Sequence, residues 1–293
     1  MTTNSMGHSI IFHPDAEKAS NECRRLFMNK WPFPSDEHKK NFDVFKFYKF
    51  ACAAYPHVLV ERFPHIVNLV TLLFQLDDVI DALEGKAMVE YVVRLTHVMD
   101  GTIKPENEVD RFVSEVIQPV RDNGMWFVND IILGIHKLIE AGKVPKNDIT
   151  TIERYIEVRS IDGYPYCAAL LRYGLNIQYN PEQDLQVKRI DRIAAGQARL
   201  FNDLISYDRE VRENEPGLSG VKVLVEHCGK SPKEAKDIVQ NLTNTMYNQV
   251  LEESDTLLES TDCSTDARTY LKSVPLFLSG HEHWTHGVTN KYD

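Results

Sequence analysis

Three aspartates, Asp77, Asp78 and Asp81, stand directly behind an apolar run that contains Leu69, Val70, Leu72, Leu73, Phe74 and Leu76. A helix so apolar should be buried, and a buried helix should not end in three acids. A spacing of four residues sets Asp77 and Asp81 roughly 40° apart around a helix, so both can point at one location. Their mutual repulsion calls for a cation, and a helix end near Gly85 adds the negative end of the macrodipole to that demand. Oxygen-only ligands on a rigid element suit Mg²⁺, which keeps several waters and shares its remaining positions with substrate phosphates. Taken alone, the cluster would equally suit a solvated helix end.

Two further segments have the same ambiguity singly. Asn202, Ser206 and Glu210 recur every four residues, which spans roughly 80° of one helix face and offers an amide, a hydroxyl and a carboxylate, all hard oxygen donors. By itself this is also an ordinary polar face. Arg159, Asp162 and Gly163 lie in Arg159-Ser160-Ile161-Asp162-Gly163, followed by Tyr164 and Pro165. Gly163 with Pro165 should interrupt a helix and free backbone groups, while Arg159 offers a permanently charged planar fork suited to phosphate oxygens. An arginine in a surface ion pair is the plain alternative.

The elements that must hold these residues read as helix after helix. From Asp184 to Val211, Ile190, Ile193, Ala194, Ala198, Phe201, Leu204 and Ile205 recur at three- and four-residue spacing, the mark of an amphipathic helix. Ser231, Pro232 and Glu234 supply an N-cap, a first-turn proline and a capping-box acid for a helix running toward Glu259. Prolines 56, 64, 105, 145, 181 and 216 are expected between helices. No G-x-G-x-x-G or P-loop pattern follows a strand-like segment, which removes the nucleotide-binding α/β folds. About ten or more helices follow. With no repeat or Gly/Ser linker, the whole chain, 1–293, reads as one all-α domain.

Together the three segments resemble the class I terpene synthases of microbial type. Asp77-Asp78-x-x-Asp81 matches their aspartate-rich motif, and Asn202, Ser206 and Glu210 match their N-D-x-x-S-x-x-x-E metal-binding triad. Arg159, Asp162 and Gly163 match the R-x-x-D-G segment, in which the arginine senses diphosphate, the aspartate links and the glycine at the helix break acts as effector. Arg209 stands where many members carry a basic residue that contacts diphosphate. The likeness runs from His13-Pro14 through Trp31 to Gly280 and Trp284. It departs at the end, where the family's Arg-Tyr pair is replaced by Lys291-Tyr292, a point charge in place of a bidentate fork.

The resemblance implies a helical fold around a deep apolar cavity, three Mg²⁺ ions, and ionisation of a prenyl diphosphate to a terpene hydrocarbon or alcohol. Farnesyl diphosphate is the first substrate expected, geranylgeranyl diphosphate second and geranyl diphosphate third. Diphosphate would be bound by Arg159, Asn202, Arg209, Lys291 and Tyr292, with Asp77, Arg159, Asp162 and Gly163 triggering catalysis. Closure at Gly163 and along 213–220 would shield the cation from water. Phe74 and Trp284, beside the motifs, are the expected pocket residues; Phe47, Phe50, Tyr55 and Phe201 are further aromatic candidates. A prenyl transferase would show a second aspartate-rich motif where this chain has Asn202-Asp203-x-x-Ser206, and a silent binding protein would not need intact metal residues. Both rank below the lyase. His281, His283 and His286 fit no standard zinc spacing.

Composition sets the remaining bounds. A net charge of -10 opposes nucleic-acid or anionic-membrane partners, so an anionic substrate needs a locally basic or metal-loaded pocket. No stretch is apolar and long enough to span a bilayer. Five widely separated cysteines and the absence of a signal-like start point to a reducing, cytoplasmic setting. A homodimer is compatible with proteins of this type.

Overall fold

The computed structural model describes residues 2–3, 8–81, 83, 85–142, 144–161, 163–178, 184–214, 217–289 and 291, without the side chains of 2, 3, 78, 81, 138, 139, 141, 142 and 146. The described residues form thirteen α-helices: α1 (Ala16–Lys30), α2 (Asp36–Phe45), α3 (Ala51–Ala54), α4 (Phe63–Asp81), α5 (Gly85–Asp100), α6 (Glu108–Asn123), α7 (Met125–Gly142), α8 (Ile152–Arg159), α9 (Tyr164–Leu175), α10 (Leu185–Arg212), α11 (Gly220–Glu226), α12 (Pro232–Glu259) and α13 (Thr265–Gly287). A two-residue antiparallel ladder pairs β1 (Thr2–Thr3) with β2 (Ser9–Ile10). This is the all-α architecture expected.

The helix ends follow local chemistry. Asp184 caps α10 by accepting from the backbone N–H groups of Gln186 and Val187, and Ser231 and Glu234 close a reciprocal capping box at the start of α12. The expected placement of prolines needs correction. Pro64 is the second residue of α4, where its missing N–H is one of the unsatisfied donors anyway. Pro119 and Pro275 lie inside α6 and α13, where packing outweighs an intrinsic cost of about 3 kcal/mol.

Helix α4 is surrounded by α1, α6 and α9, and α10 packs on α12 and α13. Ile66, Val67, Leu69, Val70 and Leu72 are all buried, so α4 is a core helix on nearly every side until its last turn. One large hydrophobic cluster runs through most helices, and a smaller one, including Tyr155, Leu200, Val221 and Val239, fills the corner where α8, α10, α11 and α12 meet. Between α13 and α3 the backbones touch: a Cβ on Gly280 would come within 2.2 Å of the Ala53 carbonyl oxygen. Among the described residues, no helix is long and apolar enough to cross a membrane.

Candidate active site

The end of helix α4 and the middle of α10 face one cavity of about 240 Å³. Asp77, Asn202, Gly163 and Lys291 lie on its wall together with Phe74 and Trp284. Asp77 is exposed at the last turn of the otherwise buried α4. The lining comes from helical spacing: Ala195, Ala198, Arg199 and Asn202 share a face of α10, and Phe277, His281 and Trp284 share a face of α13. Phe50 joins the wall, while Phe47 stacks on Phe74 at 4.5 Å from behind it. Tyr55 donates to the Cys167 carbonyl, and Phe201 is buried. Lys291 holds its ammonium 5.5 Å from the Phe47 ring centroid, a cation–π geometry.

The helix break falls between α8 and α9. Gly163, the residue before α9, has φ +59°, and an added Cβ would meet nothing within 4 Å. Glycine is therefore required by the backbone angle rather than by space. Arg159 ends α8, one turn beyond Tyr155, whose hydroxyl donates to Asp203 Oδ2 at 2.5 Å. The same carboxylate accepts from the Gly220 N–H at 2.8 Å and pairs with Arg199 Nε at 3.1 Å. Burial pushes the Asp203 acid up, and Arg199, the Gly220 N–H, Tyr155 and Arg159 oppose that shift. Asp203 thus joins α8, α10 and α11 at one buried point.

Further along α10, Ser206 donates to Glu210 Oε1 at 2.6 Å, and the Lys222 ammonium stands 3.5 Å from Glu210 Oε2 while donating to the Gly217 carbonyl. Arg209 donates to Glu213 on the next turn. Neither Ser206, Glu210 and Arg209 nor Arg159 belongs to the cavity wall itself. Asp162 and Tyr292 lie outside the described residues, as do the side chains of Asp78 and Asp81.

The sequence model of the family described as "Terpene synthase family 2, C-terminal metal binding" matches residues 68–249, more than half of the chain and including both polar helix segments. The chain belongs to this family. Among known relatives, aristolochene synthase prx2 of Penicillium rubens is 24% identical over 97% of this chain and 86% of its own length. Ophiobolin F synthase oblA of Aspergillus clavatus is 24% identical over 81% of this chain and 34% of its own. The crystal structure of aristolochene synthase from Penicillium roqueforti superposes with a TM-score of 0.84 at 25% identity, covering 94% of this chain and 96% of that one. That of 2-methylisoborneol synthase from Streptomyces coelicolor gives 0.82 at 16% identity, covering 98% and 96%.

As a terpene synthase the chain needs a divalent-metal site, and its donors fit one. The Ser206–Glu210 hydrogen bond brings two hard oxygen donors together on the helix that also carries Asn202; the ammonium of Lys222, 3.5 Å from the same carboxylate, would share it with a bound metal. Sequence spacing passed over Arg199, Tyr164, Cys167, Phe277 and His281, all on the cavity wall. Arg199 carried one usable signal, its position three residues before Asn202 on the same face. His283 meets the edge of Phe12 and His286 is exposed, so the three histidines of α13 do not converge.

Proposed function

We propose that this terpene synthase ionises farnesyl diphosphate and cyclises the resulting allylic cation to a sesquiterpene, releasing diphosphate, as a carbon–oxygen lyase. The observation that carries this reading is one cavity with Asp77 and Asn202 on its wall, from two different helices, beside the cations Arg199 and Lys291 and a lining otherwise largely aromatic and alkyl. We place the fifteen-carbon chain ahead of the twenty- and ten-carbon ones. The sesquiterpene-type relatives support the same choice.

Asp77, Asp78 and Asp81 would hold metal on one side, and Asn202, Ser206 and Glu210 on the other, with three Mg²⁺ ions as the expected complement. Bound there, Mg²⁺ supplies Lewis-acid neutralisation of the charge that diphosphate gains as the C–O bond breaks. Lys291 on the wall and Arg159 at the end of α8 would add fixed positive charge, and Arg209, paired with Glu213, would join them once the turn after α10 rearranges. Asp162 would link Arg159 to the metal cluster, and Gly163 would bring its backbone to the reacting end. Lys291 and Tyr292 would complete the diphosphate contacts where the family carries an Arg-Tyr pair. Phe74 and Trp284 present aromatic faces to the cation, each interaction being worth about 0.5–2 kcal/mol. The enzyme would act as one domain in the cytoplasm, as a monomer or homodimer.

The test is to incubate purified protein with Mg²⁺ and, separately, geranyl, farnesyl and geranylgeranyl diphosphates, and to analyse extracts by gas chromatography with mass detection. A cyclic fifteen-carbon product that disappears with chelator, with Asp77→Ala and with Asn202→Ala is expected. Turnover of only the ten- or twenty-carbon substrate would reassign the chain length, and metal-independent turnover would defeat the mechanism.

A further inference from the structure

Phe277, His281 and Trp284 follow one another on the cavity face of α13, two hydrocarbon surfaces and one base. The His281 imidazole lies edge-on to Phe50 at 5.9 Å and to Phe201 at 6.2 Å, and parallel to Phe277 at 6.5 Å. Its Nδ1 is buried and meets no hydrogen-bond partner among the described residues. Burial lowers the imidazole from its ordinary 6.5 to about 4, with no charge or hydrogen bond contributing. The ring is therefore neutral at physiological pH, and its remaining exposure is toward the cavity. Leaving a buried polar atom unsatisfied is costly, and native proteins keep such groups few.

We propose that His281 is the base that ends the reaction, its ring nitrogen taking a proton from the carbon beside the final cationic centre. This role rests on the cyclase reading above. The C–H electron pair closes the new C=C bond and discharges the cation, while the proton becomes the N–H of an imidazolium. That proton returns to water when diphosphate and product leave, so one prenyl diphosphate yields one alkene, one diphosphate and one proton, with no oxidant or reductant. Weak basicity is no obstacle, because a C–H bond next to a carbocation is far more acidic than an imidazolium. It is also useful: an unprotonated ring offers a lone pair to the cation instead of a competing positive charge.

His281→Phe keeps an aromatic ring of similar size and removes the lone pair; His281→Leu removes it with a smaller side chain should the first variant overpack. Each is assayed with Mg²⁺ and farnesyl diphosphate for diphosphate release, which reports ionisation, and for products by gas chromatography. Substrates deuterated at the candidate carbons locate the proton that leaves. Release within about threefold of wild type is expected, with the native alkene falling at least ~10-fold and alcohols or isomeric alkenes taking its place. A folded variant that still makes the native alkene with the same deuterium loss overturns the role. So does an equal product shift in Phe277→Leu, which reshapes the same wall but keeps the imidazole. If the wild type releases no diphosphate, the cyclase reading itself falls, and this role with it.

Discussion

Asp203 adjoins Asn202 in the chain, yet one residue along a helix is a rotation of about 100°, and the two side chains serve different surroundings. Asn202 lines the cavity, whereas Asp203 is fully buried against Tyr155, Arg199 and Gly220. Tyr155→Phe removes one hydroxyl from this point and keeps the ring packing. The expected result is a loss of about 1 kcal/mol in denaturant unfolding, and turnover reduced by about tenfold because the turn bearing Arg159 loosens. Unchanged turnover with reduced stability would make Asp203 purely structural. Gly163→Ala places a side chain at φ +59°, at a cost of about 1–2 kcal/mol; calorimetry should show that loss together with slower product formation. At this scale the donors Asp77, Asn202, Ser206 and Glu210 are legible because their spacing is local. Asp203 is not, because its partner Tyr155 lies 48 residues away and no pattern along one helix announces it.

Among the elements, those fixed by local chemistry are the legible ones. Ser231 with Glu234 and the break at Gly163-Tyr164-Pro165 each declare themselves within a few residues. The face that α13 turns to the cavity does not, since it is set by contact with α3 across Gly280. An aromatic and a histidine at helical spacing suit a core as well as a pocket until that contact fixes the rotation. Gly280→Ala tests it: the obstacle is the Ala53 backbone carbonyl, which cannot rotate aside as a side chain would. A loss of about 1–3 kcal/mol in thermal unfolding is expected, with an altered product ratio as His281 and Trp284 shift along the wall.

For the whole molecule, burial ties stability to pH. His13, His65, His281 and His283 are all held below their ordinary value of 6.5 mainly by burial. As pH falls through 6.5 the unfolded chain takes up protons that the folded chain does not, so these residues erode stability on acidification. Asp191 works in the opposite sense. Burial raises its acid from 3.8 to about 6, so the folded state binds that proton first and gains stability as pH drops through this window. The histidines outnumber it, and the thermal midpoint is expected to fall between pH 7 and pH 5. His281→Phe should flatten that fall, and Asp191→Asn should steepen it, both measurable by calorimetry at three pH values.

Segments distant in sequence are stitched together near the cavity. Trp284 Nε1 donates to the Lys46 carbonyl, Thr289 Oγ1 to the Phe45 carbonyl, and the Lys46 ammonium to the Val288 carbonyl, across 238, 244 and 242 residues. Phe47, Phe50 and Phe74 leave the ribosome well before α13, the helix that covers them. Until α13 emerges this side of the hollow has no cover, and the nascent chain presents a sticky aromatic surface of the kind chaperones hold. The reaction vessel cannot close before α13 has emerged, so a ribosome that stalls before this helix releases an aggregation-prone chain rather than a slower enzyme.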